Sequence, residues 1–157
     1  MPNKNKIAIV TGATAGIGRA IAIDFAKEFG FDVVLVGASE SWQIADLLKA
    51  NNIAVILTQE HSLPTSDDDD IDQPYKAASV LQKAGVLFCL NDDDPQNRGR
   101  NLVFNAGTAA AYGLTKEQAL SSISFNIAKI LAKWSKWEVD SDSLWPSKSW
   151  ENLKKIV

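Results

Sequence analysis

The sequence predicts an α/β fold, a three-layer sandwich around a four-stranded parallel sheet, formed by residues 1–157 as one domain. Three observations predict it. Four short runs rich in Val, Ile and Leu are apolar throughout, as strands buried on both faces must be. Stretches with helical spacing of apolar residues lie between them. The alternation of strand and helix then requires crossovers that lay helices against the sheet.

The elements follow in order. "KIAIVTG" is β-branched, apolar and ends in Gly, so it predicts a buried strand. "AGIGRAIAIDFAKEFG" predicts a helix through Ile17, Ile21 and Phe25 that stops at Gly30. "DVVLVG" is the second strand. Ser41 is suited to cap "WQIADLLKANN", whose Ile44, Leu47 and Leu48 form one stripe. "IAVILT" is the third strand, "QPYKAASVLQKAG" a helix from Pro74 to Gly85, and "VLFCL" the fourth strand. After the polar loop "NDDDPQNRGRN", "AGTAAAYG" and "TKEQALSSISFNIAKILAKW" predict two consecutive helices, with Thr115 and Gln118 spelling a capping box. Residues 138–149 are polar and Pro-interrupted, and "SWENLKKIV" predicts a short terminal helix. No repeat and no linker divides the chain, which reads as a βαβ start (1–37), further βα units (38–133) and a Trp-rich tail (134–157).

Bulk properties narrow the function. The chain is 46% hydrophobic and 22% charged with a net charge of −3, which gives no electrostatic reason to expect nucleic acid or an anionic membrane as partner. Cys89 is the one cysteine, which excludes an internal disulfide and fits a reducing, cytoplasmic-type compartment. "MPNKNK" runs straight into a strand rather than into a signal-peptide core. A monomer or weak homodimer is expected. The acidic run "SDDDDID" reads as a solvated loop, and the tail's Trp residues read as packing over a sheet face or edge.

The segment with most chemistry is "TGATAGIG", Thr11–Gly18, placed after a strand and before a helix. Gly12 permits a tight turn, Gly16 lets a ligand approach the backbone, and Gly18 allows close helix–strand packing. Free N–H groups and the helix dipole favour a pyrophosphate there. The fold expected on these grounds is Rossmann-like with strand order 3-2-1-4. The flavodoxin-like order 2-1-3-4 is the second candidate, and a half-barrel that dimerises to close its sheet is the third.

Residues 6–37, with TGxxxGxG, resemble the N-terminus of short-chain dehydrogenases/reductases. That resemblance implies an NAD(P) phosphate site at Gly12, Thr14, Gly16, Ile17 and Gly18. Family members read the adenosine ribose at the end of the second strand with Arg or Asp. Ala38 and Ser39 stand there in this chain, so the choice between NAD and NADP is undefined. From Val34 to about Leu131 the chain resembles something else, the C-terminal strands and helices of an amidohydrolase barrel of the imidazolonepropionase-like branch. That family binds metal through HxH, further His ligands and an Asp after the last strand. This chain has one His, His61, so no metal site is expected from it or from Asp92–Asp94.

Tyr112 and Lys116 spell YxxxK, which on a helix puts both side chains on one face, where an ammonium stabilises a phenolate. In the reductase family this pair carries proton transfer, together with a Ser about a dozen residues earlier. No Ser lies between Arg98 and Ala111, and "FNAG", an echo of the family's NNAG strand motif, lies too close to Tyr112. The pair also straddles the junction of two predicted helices. The chain therefore reads as a composite of two families meeting at "VVLVG", an artificial sequence, chimeric or computationally generated. It is expected to fold without an assembled catalytic site and to retain weak dinucleotide or phosphate binding at the glycine turn. The alternative is an NAD(P)-dependent oxidoreductase using Tyr112 and Lys116.

Overall fold

The computed structural model describes residues 7–11, 16–38, 40–58, 61, 68, 70–92 and 99–138. Strands β1 (Ile7–Thr11), β2 (Asp32–Val36), β3 (Ala54–Leu57) and β4 (Phe88–Leu90) form one parallel sheet. The helices are α1 (Gly16–Lys27), α2 (Ala45–Ala50) after a 3-10 turn at Ser41–Ile44, α3 (Gln73–Ala84), α4 (Leu102–Ala111), α5 (Lys116–Ser122) and α6 (Phe125–Glu138). The expected four-stranded parallel α/β architecture is what the chain adopts.

The strand order corrects the first two expectations. It is β1-β2-β3-β4, neither 3-2-1-4 nor 2-1-3-4, which is the sequential order a half-barrel would have. The reason lies in where the helices pack. Ala22 of α1, Leu48 of α2, Ala78 and Leu81 of α3 and Ala109 of α4 all join one cluster with Val33, Leu35, Val55, Leu57, Phe88 and Leu90. Right-handed crossovers that keep every helix on one face add each new strand on the same side of the last. A doubly wound sheet needs the chain to turn back and cover the other face, and α1–α5 do not.

The opposite face of the sheet carries Val34, Ala54 and Cys89, and it is covered by Ile130 and the half-buried Ile127 of α6. Among the described residues three layers result: α1–α5, the sheet, and α6. Asn126 anchors α6 by donating from Nδ2 to the carbonyl of Phe88 at 2.9 Å, while its Oδ1 accepts from Ser121 Oγ at 3.0 Å. In a closed eight-stranded barrel, side chains from the opposite strands fill this space. Here a helix does.

Local chemistry explains the boundaries. Pro74 sits in the first turn of α3, and Gly85 ends it at φ +72° with its N–H on the carbonyl of Gln82. Lys49 Nζ adds a bond to the Gly85 carbonyl at 2.7 Å. The capping box is present: Gln118 N–H donates to Thr115 Oγ1 at 3.2 Å, and Thr115 N–H donates to Gln118 Oε1 at 2.9 Å. The Glu117 backbone N–H, and after it the Thr115 hydroxyl, hold the Glu117 carboxyl below its usual range. In the acidic segment, Lys76 pairs with Asp72 at 2.7 Å and Asp70 at 3.2 Å. These partners, Asp72 first, raise the lysine above its ordinary range.

Three local expectations are corrected. Ser41 caps nothing: its side chain is fully buried, and Oγ finds no partner among the described residues. Its N–H bonds the Ala38 carbonyl at 3.0 Å, which tightens Ser41–Ile44 into a 3-10 turn before α2 begins. The single long helix predicted from Thr115 is broken at Ile123–Ser124. Ser122 Oγ bonds the Ala119 carbonyl at 2.7 Å and Ser124 Oγ the Leu120 carbonyl at 2.6 Å, the back-bonding that bends helices. Finally, α4 begins at Leu102 rather than Ala106, because Asp92 Oδ2 receives the Asn101 N–H at 3.0 Å just ahead of it. The expected terminal helix, and the tail residues Trp145 and Trp150, lie outside the described residues.

Cys89 offers a check on the inner face. It is 4% exposed, and burial pushes its thiol up from 9.0 to about 11. A raised native value means that the folded state holds this proton after the unfolded chain has lost it. Stability should therefore fall as pH rises from about 9 to about 11, by about 2 kcal/mol. Urea melts across that window should show the slope in the parent chain and its loss in Cys89→Ala.

Candidate functional site

All four strands point the same way, so their carboxyl ends and the segments that follow share one edge of the sheet. That edge is where parallel α/β folds place ligands. At its start, β1 ends at Thr11 and α1 opens at Gly16. Gly16 and Ile17 are the first residues of α1, and Gly18 is half-buried behind them. Gly12 and Thr14 lie outside the described residues. The structure thus sets a strand end and a helix start on either side of the predicted turn, the local frame that pyrophosphate binding requires.

At the end of β2, Gly37 has φ +72°, a conformation that favours glycine, and its N–H reaches the Ile56 carbonyl at 3.1 Å. Ala38 is 1% exposed, and Glu40 is half-buried just before the 3-10 turn. The end of β2 therefore carries a buried methyl group at Ala38. After β3, Thr58 is buried beside Gly37. After β4, Asp92 is committed to the Asn101 N–H. Among the described residues no three His, Cys, Asp or Glu side chains come together as metal ligands.

The predicted dyad is split between two helices. Tyr112 is the C-cap of α4, Gly113 follows at φ +121°, Leu114 is buried, and Thr115 caps α5 with Lys116 as its first residue. The four-residue spacing therefore does not run along one helix, and the one-face geometry of YxxxK does not apply. Tyr112 instead packs on Tyr75 in the first turn of α3, ring centroids 5.1 Å apart. Tyr75 in turn faces His61 at 5.8 Å, and His61 Nε2 shares a hydrogen bond with Thr108 Oγ1 at 2.8 Å. This group joins the segment after β3 to α4. No spacing in the sequence announced it, because it draws on three separate segments. "FNAG" is helical, not a strand motif: Asn105 is 6% exposed on α4, with Oδ1 unpartnered among the described residues.

Comparison with known proteins gives a divided answer. No family model matches the chain. By sequence it is similar to carbonyl reductase (NADPH) 1 of Mus musculus, 32% identical over 109 residues, covering 60% of this chain and 37% of that protein. It is also similar to a 3-oxoacyl-(acyl-carrier-protein) reductase of Pseudomonas aeruginosa, 28% identical over 133 residues, covering 74% and 53%. Farnesol dehydrogenase of Aedes aegypti is 37% identical over 92 residues, covering 52% and 36%. The chain spans about a third to a half of the length of these relatives. By fold it is similar to an amidohydrolase from Thermotoga maritima, with TM-score 0.66 and 28% identity, covering 80% of this chain and 32% of that one. The aligned reductase stretches are longer than residues 6–37, so that similarity is broader than its motif. The composite character read from the sequence appears on both sides: reductase-like by sequence, amidohydrolase-like by fold.

Proposed function

We propose that the chain is a nucleotide-binding α/β module without an assembled hydride-transfer site. The turn carrying Gly12, Thr14, Gly16, Ile17 and Gly18 would hold the pyrophosphate of NAD(P), through backbone N–H groups and the start of α1. NAD(P) would bring hydride chemistry if bound; this chain's own contribution is to seat phosphate. The name of carbonyl reductase (NADPH) 1 supports the cofactor class, and the flanking β1–α1–β2 unit supports its placement.

One observation carries the second half of the reading: β1 is an edge strand. In a doubly wound sheet a dinucleotide lies across the crevice where strand order reverses, with its nicotinamide half beyond the first strand. The order β1-β2-β3-β4 has no such reversal. A bound dinucleotide would find β2 on one side of the turn and, among the described residues, no strand beyond β1 on the other. With Tyr112 at the end of α4 and Lys116 at the start of α5, the chain would not present the two as a one-face proton-transfer pair.

NADPH fluorescence titration of the full chain tests this. Saturable binding is expected, weakened by about tenfold or more in Gly16→Val, where a branched side chain enters the ligand's approach. No saturable binding, or equal affinity in the variant, would overturn it. Oxidation of NADPH with a carbonyl panel would instead favour the second reading, a short-chain reductase with Tyr112 as proton donor and Lys116 beside it. Tyr112→Phe must then abolish turnover. As to origin, we read the chain as a chimeric or generated sequence joined near β2; a genomic reading frame encoding β1 through α6 in this order would refute that.

A further inference from the structure

We infer that the outer edge of β1 is a docking surface for a second copy of this chain, pairing antiparallel about Ile9 to give one continuous sheet across a two-fold axis. The two edges of the sheet are treated differently. On β4, Val55 N–H bonds the Leu87 carbonyl and Asn91 N–H the Leu57 carbonyl, so Phe88 points its backbone groups outward. Asn126 Nδ2 of α6 occupies that outward carbonyl, and α4, α5 and α6 all touch β4. A side chain thus takes an outward backbone group at that edge.

The edge of β1 has no such cover among the described residues. Gly37 N–H reaches β3, so the even-numbered residues of β2 face β1. With Ile9 in register with Val34, the backbone groups of Ala8 and Val10 face β2, while those of Ile7, Ile9 and Thr11 face outward. The strand reads IAIVT, with none of the charges, prolines or bulges that blunt natural edges. Ile9 is 57% exposed, although its register partner Val34 is fully buried. The inner face is thus covered over β2 to β4 and ends in an uncovered isoleucine.

Self-pairing fits this edge better than other pairings. Antiparallel alignment centred on Ile9 sets Ile9 beside Ile9 of the second copy, and Ile7 opposite Thr11. All three outward residues then exchange backbone bonds, and the exposed isoleucines meet on one face. Charge selects the direction. Lys4 and Lys6 precede the strand, and no charge follows it until Arg19. Parallel pairing would align lysine with lysine; antiparallel pairing sends the two pairs to opposite ends. Asn126 on the Phe88 carbonyl and α6 across the inner face both oppose closure of a barrel through β1 and β4. The contact is isologous and stops at two copies.

Sedimentation equilibrium of the full chain from about 1 to about 100 µM tests the pairing. Average mass should rise about twofold across the range, and the Ile9 amide should gain hydrogen-exchange protection in parallel. Ile9→Lys places two ammonium groups side by side and should remain monomeric with unchanged circular dichroism. Ile9→Pro removes only an outward N–H and should also remain monomeric. A wild-type chain monomeric throughout, as when its own C-terminal segment or a foreign strand is the true occupant, would overturn the inference. So would a dimer that persists unchanged in folded Ile9→Lys, or an Ile9 amide whose protection is independent of concentration.

Discussion

Replacing Phe88 with Ala is expected to cost about 3–5 kcal/mol, which approaches the whole stability of an ordinary domain. Phe88 is fully buried and belongs to the main core cluster, and its strand touches α3, α4, α5 and α6. At three residues β4 is also the shortest strand, so it has little ladder of its own and depends on this packing. The cavity left by the ring cannot collapse without moving several helices. Urea denaturation followed by far-UV circular dichroism should show the midpoint falling by most of its wild-type value. A loss under about 1 kcal/mol would mean that the outer layer does not converge on β4.

Ile130→Ala should produce the second large effect, about 2–5 kcal/mol, with a different signature. Ile130 is 1% exposed and packs with Val34, Ala54 and Cys89. Those three small or medium side chains have few other covers on the inner face. Loosening α6 should therefore open that face before the outer layer melts. The Cys89 thiol reports the opening, because burial keeps it protonated and unreactive at neutral pH. Labelling by a thiol reagent should accelerate by about tenfold or more in the variant, under conditions where most of the protein stays folded. Wild-type labelling rates in a destabilised Ile130→Ala would show that α6 and the sheet unfold as one unit.

Much of this architecture was legible in the residues. "DVVLVG", "IAVILT" and "VLFCL" are apolar on both alternating sets, which is possible only with cover on two faces. Pro74 and Gly85 bracket α3, and the Thr115–Gln118 box marks α5, because each fixes a local backbone geometry. Strand order was not legible, since a strand buried on both faces carries no mark of which neighbour it takes. Choosing between 3-2-1-4 and β1-β2-β3-β4 depends on which face each helix covers, and the glycine turn suggested the doubly wound order that the sheet does not adopt. Ser41 misled for a related reason. A Ser before an amphipathic stretch normally caps it, but here tertiary burial and a 3-10 turn withdraw the hydroxyl from the helix end. The YxxxK spacing does not run along one helix, because Gly113 and the Thr115 cap lie inside it. The group of His61, Tyr75, Thr108 and Tyr112 is nonlocal, and no local pattern could have named it.

The sequential order of the strands has a consequence for how the chain is made. Each strand pairs with the one synthesised immediately before it, so contacts are short in sequence and the sheet can grow as the chain emerges. The inner face waits, because its cover is α6, the last described helix. Until residues 125–138 have left the ribosome, Val34, Ala54 and Cys89 stand open to water and to other nascent chains. The interval between the completion of β4 and the arrival of α6 is the period in which this protein is most exposed to misassembly.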